Sequence, residues 1–510
     1  MDDDSQQLSL KIIEFDPLHP QPEFFRTATA LAAALSAGLS AEPVPFPAHL
    51  APALDTPGTH PDPSDPLPPA DVVIVTWTTA EAETLATLLT PGVSFDDWYQ
   101  YKSNLDHYIP LVIGERAPFN SKKSMRFYHS LGMYYPIKLV GKKVICLKSG
   151  LHLDHDTYNK DQPAPDQLPM LDLWKQIIAE TEAKFIITTG TGGAIGADVL
   201  LGDVVVATKT VFDCKKQFVD KPFKTSSYPT TPLPAAFRPP AALMLKQNAD
   251  RVAESGDKQH DDGLPVILHA GSPVIADPKI VTTDSFAFDN TTNTAGLQGL
   301  GQACDMGDAS LGLVIDQMGG GAPEWAAIRN ASDPQIDGTL TPGQQSDGAF
   351  KTYTKYGGVT SAASVLATWS LICARYPVQA PAALAMASPL TSPASALALS
   401  RRRSRRSNAS HLLMQIVAGS GFSARDLDAN KVPADLAQAL DDQLRAAAVS
   451  SQGRTVAWRL IAFVDAADTR IKLHLAHVSR DAPSAFRGSY LFSGASLVAK
   501  EEFATGRDPA

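Results

Sequence analysis

The feature that most constrains this chain is a repeated alternation of strand-like and helix-like patterns between residues 71 and 376. Residues 72–77 (VVIVTW) form a short β-branched run of the kind found in buried parallel strands. Residues 78–89 follow directly with the pattern of a helix that a threonine caps. The alternation continues with predicted strands at 143–150, 184–196, 203–212 and 325–333, a further apolar pattern at 273–288, and predicted helices at 171–181, 309–318 and 359–376. Because strands that alternate with helices form βαβ units, the sequence predicts an α/β domain with a largely parallel sheet.

The composition changes outside this domain. The predicted regions are a Pro-rich N-terminal segment (1–70), the α/β domain (71–376), a linker rich in Ala, Pro, Ser and Arg (377–409) and a small C-terminal α+β domain (410–510). Residues 26–39 have the pattern of one Ala-rich helix, and residues 215–265 are predicted to be a long excursion with little apolar pattern. In the last region we expect a helix at 433–448, followed by a hairpin of strands 455–465 and 470–480.

Charge and cysteine usage limit the class of protein. The 510 residues contain 44 Lys and Arg and 54 Asp and Glu, a formal net charge of −10, so binding to nucleic acid or to an anionic membrane is not expected. The run RRRSRRS at 401–407 is predicted to be a solvated linker, with contact to an anionic partner as the alternative. No apolar run approaches the roughly 18 residues of a membrane span, and the start is acidic rather than signal-like. With four scattered cysteines, we expect a reduced, cytoplasmic protein.

Polar residues and glycines follow the predicted strands, at the sheet edge where α/β proteins bind ligands. They are Glu81, the GTGG of 190–193, Phe286, the ACDMGD of 303–308, and Arg329, Ser332 and Asp333. Each also has an ordinary structural explanation, such as a tight glycine turn, a core Phe or an Asp that caps a turn before Pro334. The segment HLDHD (152–156) contains metal-ligand residue types, but its spacing matches no established metal motif, and we expect no metal or organic cofactor.

In this order, the segments resemble the purine nucleoside phosphorylase and nucleosidase superfamily, especially the methylthioadenosine/S-adenosylhomocysteine nucleosidases. The similar segments are VTWTTAEAETLATLL, FIITTGTGGAIGADVLLGDVVVAT, TTDSF, ACDMGDA and IRNASD. The resemblance covers roughly residues 71–376 and implies a three-layer α/β/α domain with a mixed, largely parallel sheet. It also implies a homo-oligomer, in which a neighbouring chain often completes the pocket.

The resemblance implies hydrolysis of the N-glycosidic bond of a purine nucleoside or nucleotide, with release of the free base. Asp333 would be the acid that protonates the purine, and Ser332 would orient it. Glu81 would position the attacking water with help from Arg329 and Thr191. The implied substrate-binding residues are Thr191, Gly192, Gly193, Phe286 against the base, Met306 under the ribose, and Asp305 and Asp308 beside the sugar.

Two departures from the family pattern leave alternatives open. The sequence TTGTGG lacks the arginine with which phosphorylases of this superfamily hold phosphate, which favours water as the nucleophile. Phosphorolysis stays the runner-up, because Lys215, Lys216 or Arg329 could supply the cation. Gly307 stands where the family has the glutamate that holds the ribose hydroxyls. That change also fits a different class of protein, a non-catalytic module that senses a nucleotide. Lys160, near HLDHD, would be a contact for a modified sugar or a phosphate.

Overall fold

The computed structural model describes residues 11–17, 40–112, 129–153 and 168–377, together with five strands beyond residue 412. The chain divides into two compact units, Met1–Gln379 and Ala380–Ala510. The predicted helices at 26–39 and 433–448 lie outside the described residues.

The first unit is built from strands and helices in alternation. Its strands are β1 (Ala53–Leu54), β2 (Val72–Thr76), β3 (Tyr99–Tyr101), β4 (Gly132–Leu139), β5 (Lys142–Ser149), β6 (Phe185–Ala194), β7 (Val204–Val206), β8 (Lys209–Asp213), β9 (Ser227–Pro229), β10 (Ile267–Leu268), β11 (Lys279–Thr283), β12 (Ala303–Asp305) and β13 (Glu324–Asp333). Among the described residues, its helices are α1 (Thr79–Leu89), α2 (Leu105–Tyr108), α3 (Pro169–Thr181), α4 (Ala242–Ala253), α5 (Asp308–Met318) and α6 (Pro342–Arg375), with short 3₁₀ turns at Ala48–Leu50 and Phe95–Asp97. Residues 11–14 are also helical.

The strands form one thirteen-stranded mixed sheet, which confirms the predicted α/β fold class. Its centre is parallel: β5 pairs with β2, β2 with β6, and β6 with β13. Antiparallel partners flank this centre, with β4 beside β5, β12 beside β6 and β7 beside β13. All five residues of β2 are buried, as expected of a strand covered on both faces. The carboxyl ends of β2, β6 and β13 therefore meet at one edge of the sheet.

The helices form two packed groups. Helix α6 contacts α1, α4, β6 and β13, whereas α3 contacts α5. Helix α6 is long and apolar enough to cross a membrane by length and composition, but 89% of the window with that composition is buried inside the fold. Burial of this kind is what the core helix of a globular domain shows.

Four sequence expectations need correction. Helix α6 begins at Pro342, well before the predicted residue 359, because a capping box between Thr341 and Gln344 starts it. Residues 203–212 form two strands, β7 and β8, with different partners. The excursion at 215–265 contains β9 and α4. The fourth correction concerns GTGG, which is not a turn, because β6 continues through it to Ala194.

The second unit contains a five-stranded antiparallel sheet in the order β14 (Leu413–Ala418), β15 (Val456–Val464), β16 (Arg470–Val478), β17 (Phe486–Ser493) and β18 (Ser496–Ala504). The antiparallel pairing of β15 with β16 agrees with the predicted hairpin, and β14, β17 and β18 extend it to a sheet.

Candidate active site

A cavity of about 600 Å³ opens at the edge where the central parallel strands end. Every predicted site residue except Asp308 lines it: Glu81, Thr191, Gly192, Gly193, Phe286, Asp305, Met306, Arg329, Ser332 and Asp333. They come from α1, β6, the loop after β11, the end of β12, and β13. The fold thus brings together residues that are up to 252 positions apart in the sequence.

Glu81 is fixed at the start of α1 by an unusually complete set of donors. Its Oε2 accepts hydrogen bonds from the Thr76 hydroxyl (2.5 Å) and from the amides of Trp77 and Thr78 (2.9 Å each). Its Oε1 accepts hydrogen bonds from both the amide and the hydroxyl of Thr191, each at 2.6 Å. Burial alone would raise the pKa of Glu81, but Arg329 and these hydrogen bonds outweigh burial and lower it. Glu81 is therefore a buried carboxylate held in its ionised form.

Gly190 of β6 allows this strand to lie close to the Glu81 carboxylate. Gly190 has a φ of +152°, and a Cβ placed there would lie 2.4 Å from the Glu81 Cδ. Any other residue would collide with the carboxylate and push β6 away. Gly190 therefore allows the two hydrogen bonds from Thr191 to form.

Arg329 is buried and is held by carboxylates. Its Nε and Nη2 donate to the two oxygens of Asp308 at 2.9 and 2.5 Å, and Nη2 also lies 3.3 Å from Asp305 Oδ2. Its Nη1 lies 3.6 Å from Glu81 Oε1, and the guanidinium is 4.7 Å from the ring centre of Trp77. Burial opposes the charge, but Asp308 and the other carboxylates outweigh burial and raise the pKa of Arg329. Asp308 is thus an anchor behind Arg329 rather than part of the cavity wall.

The two lysines considered as phosphate ligands do not line the cavity. Lys215 pairs with Asp213 at 2.7 Å, and its Nζ donates to the carbonyl of Ala295 at 2.7 Å. The backbone amides of Lys215 and Lys216 donate to the buried carboxylate of Asp284. Neither side chain therefore supplies the cation that a phosphorylase would need here.

Asp333 has the opposite environment to Glu81. Its carboxyl accepts one side-chain hydrogen bond, from the Ser332 hydroxyl at 2.9 Å, and it lies at the end of β13 beside Gly193. Burial raises the pKa of Asp333 to about 6, and Ser332 offsets only part of that effect. A carboxyl group with such a pKa is protonated for part of the time near neutral pH and can act as a general acid.

The cavity wall near Arg329 includes Asp305 and Trp77. Asp305 lines the cavity and caps α5 through the amides of Gly307 (2.9 Å) and Asp308 (2.8 Å). Burial, with repulsion from Asp308, raises the pKa of Asp305 to about 7. At Gly307 an added Cβ would lie 2.8 Å from Cζ2 of Trp77, so the indole fills the space next to this position. Trp77 and Gly307 are therefore sterically matched.

Several residues that line the cavity are not among the site residues predicted from the sequence. Trp77 follows β2 directly, so its place at the strand end was a usable signal. His152 belongs to HLDHD, and its ring packs edge-on against Trp77 at 6.2 Å, while burial lowers its pKa to about 3. Ile12, Ile13 and Tyr353 also line the cavity, and nothing in the sequence pattern indicated them. Residues 154–156 of HLDHD and Lys160 lie outside the described residues. Among the described residues, no group of three or more His, Cys, Asp or Glu side chains could hold a metal ion.

Part of the chain is similar to a known protein superfamily. Residues 115–352 match the model of the phosphorylase superfamily. The resemblance found in the sequence is thereby confirmed for the segments around Thr191, Phe286, Asp305 and Asp333, whereas Glu81 precedes the matched range. A search of curated proteins found no match.

Solved structures similar to the chain include two hydrolytic enzymes. One is the 5′-methylthioadenosine/S-adenosylhomocysteine nucleosidase of Neisseria meningitidis in complex with methylthio-immucillin-A, with 16% identity, 59% of this chain and 97% of that chain covered, and a TM-score of 0.33. The other is the futalosine hydrolase of Helicobacter pylori, with 13% identity, 59% and 96% covered, and a TM-score of 0.35. At these scores the likeness carries no argument about activity.

Proposed function

We propose that this protein hydrolyses the N-glycosidic bond of a purine nucleoside and releases the free base. The observation that carries the proposal is the pair of buried carboxyl groups in one cavity, one kept ionised and the other with a raised pKa. When their surroundings shift the pKa values of two neighbouring titratable groups in opposite directions, one group can act as the acid and the other as the base. The superfamily match supports nucleoside chemistry as the setting.

The proposed mechanism begins with departure of the base. As the glycosidic bond stretches, the sugar gains oxocarbenium character, and the base leaves more easily once it is protonated. Asp333 would give its proton to the imidazole nitrogen of the purine, while Phe286 packs against the base plane. Ser332 would then stabilise the Asp333 carboxylate through its hydrogen bond.

Glu81 would hold the attacking water on the other side of the sugar. Glu81 already accepts five hydrogen bonds, so a water can reach it only where one hydroxyl gives way. The hydroxyl of Thr191 is the better candidate, because Thr191 lines the cavity whereas Thr76 is fully buried behind Glu81. We therefore assign Thr191 to hold the water together with Glu81.

Electrostatics favours water over phosphate as the nucleophile. A phosphate beside Glu81 would meet a carboxylate that is already ionised, and the only arginine at the described cavity wall is bound by Asp308. A phosphate group on the substrate would meet the same charges, which favours a nucleoside over a nucleotide. A homo-oligomer and a cytoplasmic location stay predictions from the sequence.

The test is to incubate the protein with adenosine, guanosine, inosine and their monophosphates, with and without inorganic phosphate, and to follow free base by chromatography. We expect base release that does not depend on phosphate and that falls at least 100-fold in Asp333→Asn. The exposed Asp316→Asn is the matched control and should behave like the wild type. Release that requires phosphate would contradict hydrolysis and identify a phosphorylase.

A second candidate is a module that binds a nucleoside without turnover. The saturated hydrogen bonding of Glu81 favours it, because a carboxylate without room for water cannot direct an attack. Tight binding of a purine nucleoside with no base release, unchanged by Asp333→Asn, would identify this function.

A further inference from the structure

Part of the cavity wall comes from the N-terminal residues 11–17. Ile12 and Ile13 line it, although they belong to the helical residues 11–14, which precede β2 by more than 50 residues of sequence. Both are apolar, and Ile13 is buried. No residue of this segment belongs to the stretch that matches the superfamily model, which begins at residue 115.

The segment is attached to the same helix that carries Glu81. The hydroxyl of Thr79 donates to the backbone carbonyl of Ile13 at 3.3 Å. Phe15 is completely buried and packs with Ala80 and edge-on against Tyr353, with ring centres 6.5 Å apart. Residues 11–17 are therefore held by both a hydrogen bond and an apolar anchor.

Tyr353 connects this anchor to α1, the helix that contains Glu81. Its hydroxyl donates to the Thr78 hydroxyl at 2.9 Å, and Thr78 is the residue that caps α1. Tyr353 itself comes from α6 and lines the cavity. The segment thus sits against the first turn of α1, on the side of the cavity where Glu81 lies.

We propose that residues 11–17 are a built-in part of the substrate site, in which Ile12 and Ile13 determine which sugar substituents are accepted and Phe15 holds them in place. This inference rests on the proposed function. The proposed function assigns the base to Phe286 and Asp333, and the water that attacks the sugar to Glu81. Because the segment is attached beside Glu81, we infer that it faces the sugar rather than the base. The two isoleucine side chains can limit the size of a sugar substituent but cannot form a hydrogen bond with it.

The test is a change of size selectivity. Ile12→Ala and Ile13→Ala would be assayed with adenosine and with 2′-, 3′- and 5′-O-methyladenosine, and kcat and KM would be determined separately for each. The control is Ile109→Ala, an exposed isoleucine that does not line the cavity. We expect KM for adenosine to rise about 10-fold or more, since lost apolar contact in a pocket changes selectivity by about 10- to 200-fold.

The decisive result concerns the methylated substrates. We expect one O-methyladenosine that the wild type rejects to gain at least 10-fold in kcat/KM relative to adenosine in an alanine variant, and not in Ile109→Ala. Phe15→Ala should show the same change of selectivity without alteration of any side chain that touches the substrate. Unchanged selectivity in Ile12→Ala, Ile13→Ala and Phe15→Ala would overturn the proposal.

A failure of the proposed function would give a different result. In that case, the wild type would release no base from any nucleoside, and the same variants would be compared by equilibrium binding of adenosine and its O-methyl derivatives. Trp77 lines the cavity and provides a fluorescence signal for that measurement. A shift in binding selectivity would then support the segment as part of the site, and equal selectivity in all proteins would refute it.

Discussion

Glu81 and Asp333 are both buried carboxyl groups on the wall of one cavity, yet their pKa values are shifted in opposite directions. Glu81 accepts hydrogen bonds from three backbone amides and two hydroxyls and lies near Arg329, whereas Asp333 accepts one side-chain hydrogen bond. Burial is similar at the two sites, so it cannot explain the difference. The number of donors and the neighbouring cation decide which carboxyl group keeps its proton.

Glu81 has a structural role as well as a proposed chemical one, whereas Asp333 has only the proposed chemical role. Glu81 also completes the capping box of α1, so its charge stabilises the fold as well as the proposed reaction. Asp333 has no comparable set of donors, and its ionised form is disfavoured in the folded state.

The largest expected effect comes from neutralising each carboxylate in turn. Both Glu81→Gln and Asp333→Asn should lower kcat for base release by about 100- to 10,000-fold. Only Glu81→Gln should also destabilise the fold, by about 1–3 kcal/mol, because the new amide group would face N–H donors and leave buried groups unpaired. Urea unfolding at pH 7 checks the difference.

Asp333→Asn should leave stability at pH 7 unchanged or higher. Its folded pKa of about 6 lies above the usual value, so the native state releases the proton later than the unfolded state does. Stability therefore falls as pH rises from about 4 to about 6, and Asn removes that loss. Equal destabilisation by the two substitutions would show that the donors around Glu81 do not distinguish the two sites.

The next effect concerns the cation that keeps Glu81 ionised. Arg329→Met would leave Asp308, Asp305 and Glu81 without their shared positive charge. Removal of one partner from a buried ion pair typically destabilises by about 3–5 kcal/mol, and we expect a loss in that range. Arg375→Met is the control, since Arg375 pairs with the partly exposed Glu324 and should contribute less than about 1 kcal/mol. Similar losses in both variants would argue against the buried cluster.

A smaller effect is expected on the crowded side of the cavity, beside Arg329. Gly307→Ala would force a Cβ to within 2.8 Å of Trp77 and should destabilise by about 1–3 kcal/mol. Trp77→Phe removes the atoms that the Cβ would meet. Gly307→Ala should therefore be better tolerated in a Trp77→Phe background, and a double-mutant cycle of unfolding free energies measures this coupling. Additive losses would mean that the two positions are independent.

The smallest expected effect is the change of activity over a single pH unit. Because the proposed acid must carry a proton, kcat/KM should fall tenfold per pH unit above the pKa of Asp333, about 6. Glu81, whose pKa is lowered, contributes no change in that range. Burial and Asp308 raise the pKa of Asp305 to about 7, so Asp305→Asn is the control and should keep the decline. If the decline disappears in Asp305→Asn, the group that must be protonated is Asp305 and not Asp333.

Local sequence signals predicted much of this arrangement. The threonine that caps α1, the buried strand β2 and the polar end of β13 were each visible in short segments, and their order pointed to the family. The sequence predicts a turn at GTGG, because short glycine clusters usually end strands. Its actual role, a close approach of β6 to Glu81, depends on a side chain more than 100 residues away.

By itself the sequence determined the α/β class, the order of the central strands and helices, and the identity of the residues that meet at the strand ends. The class and the order of the elements follow from local periodicity and capping, which act within a few residues, whereas the set of site residues came from the resemblance to a known family. Only the tertiary structure decided the opposite pKa shifts of Glu81 and Asp333, the match between Trp77 and Gly307, and the placement of Ile12 and Ile13 at the cavity. Each of these depends on contacts between distant segments, and burial and electrostatics at a site are set by all the groups that surround it.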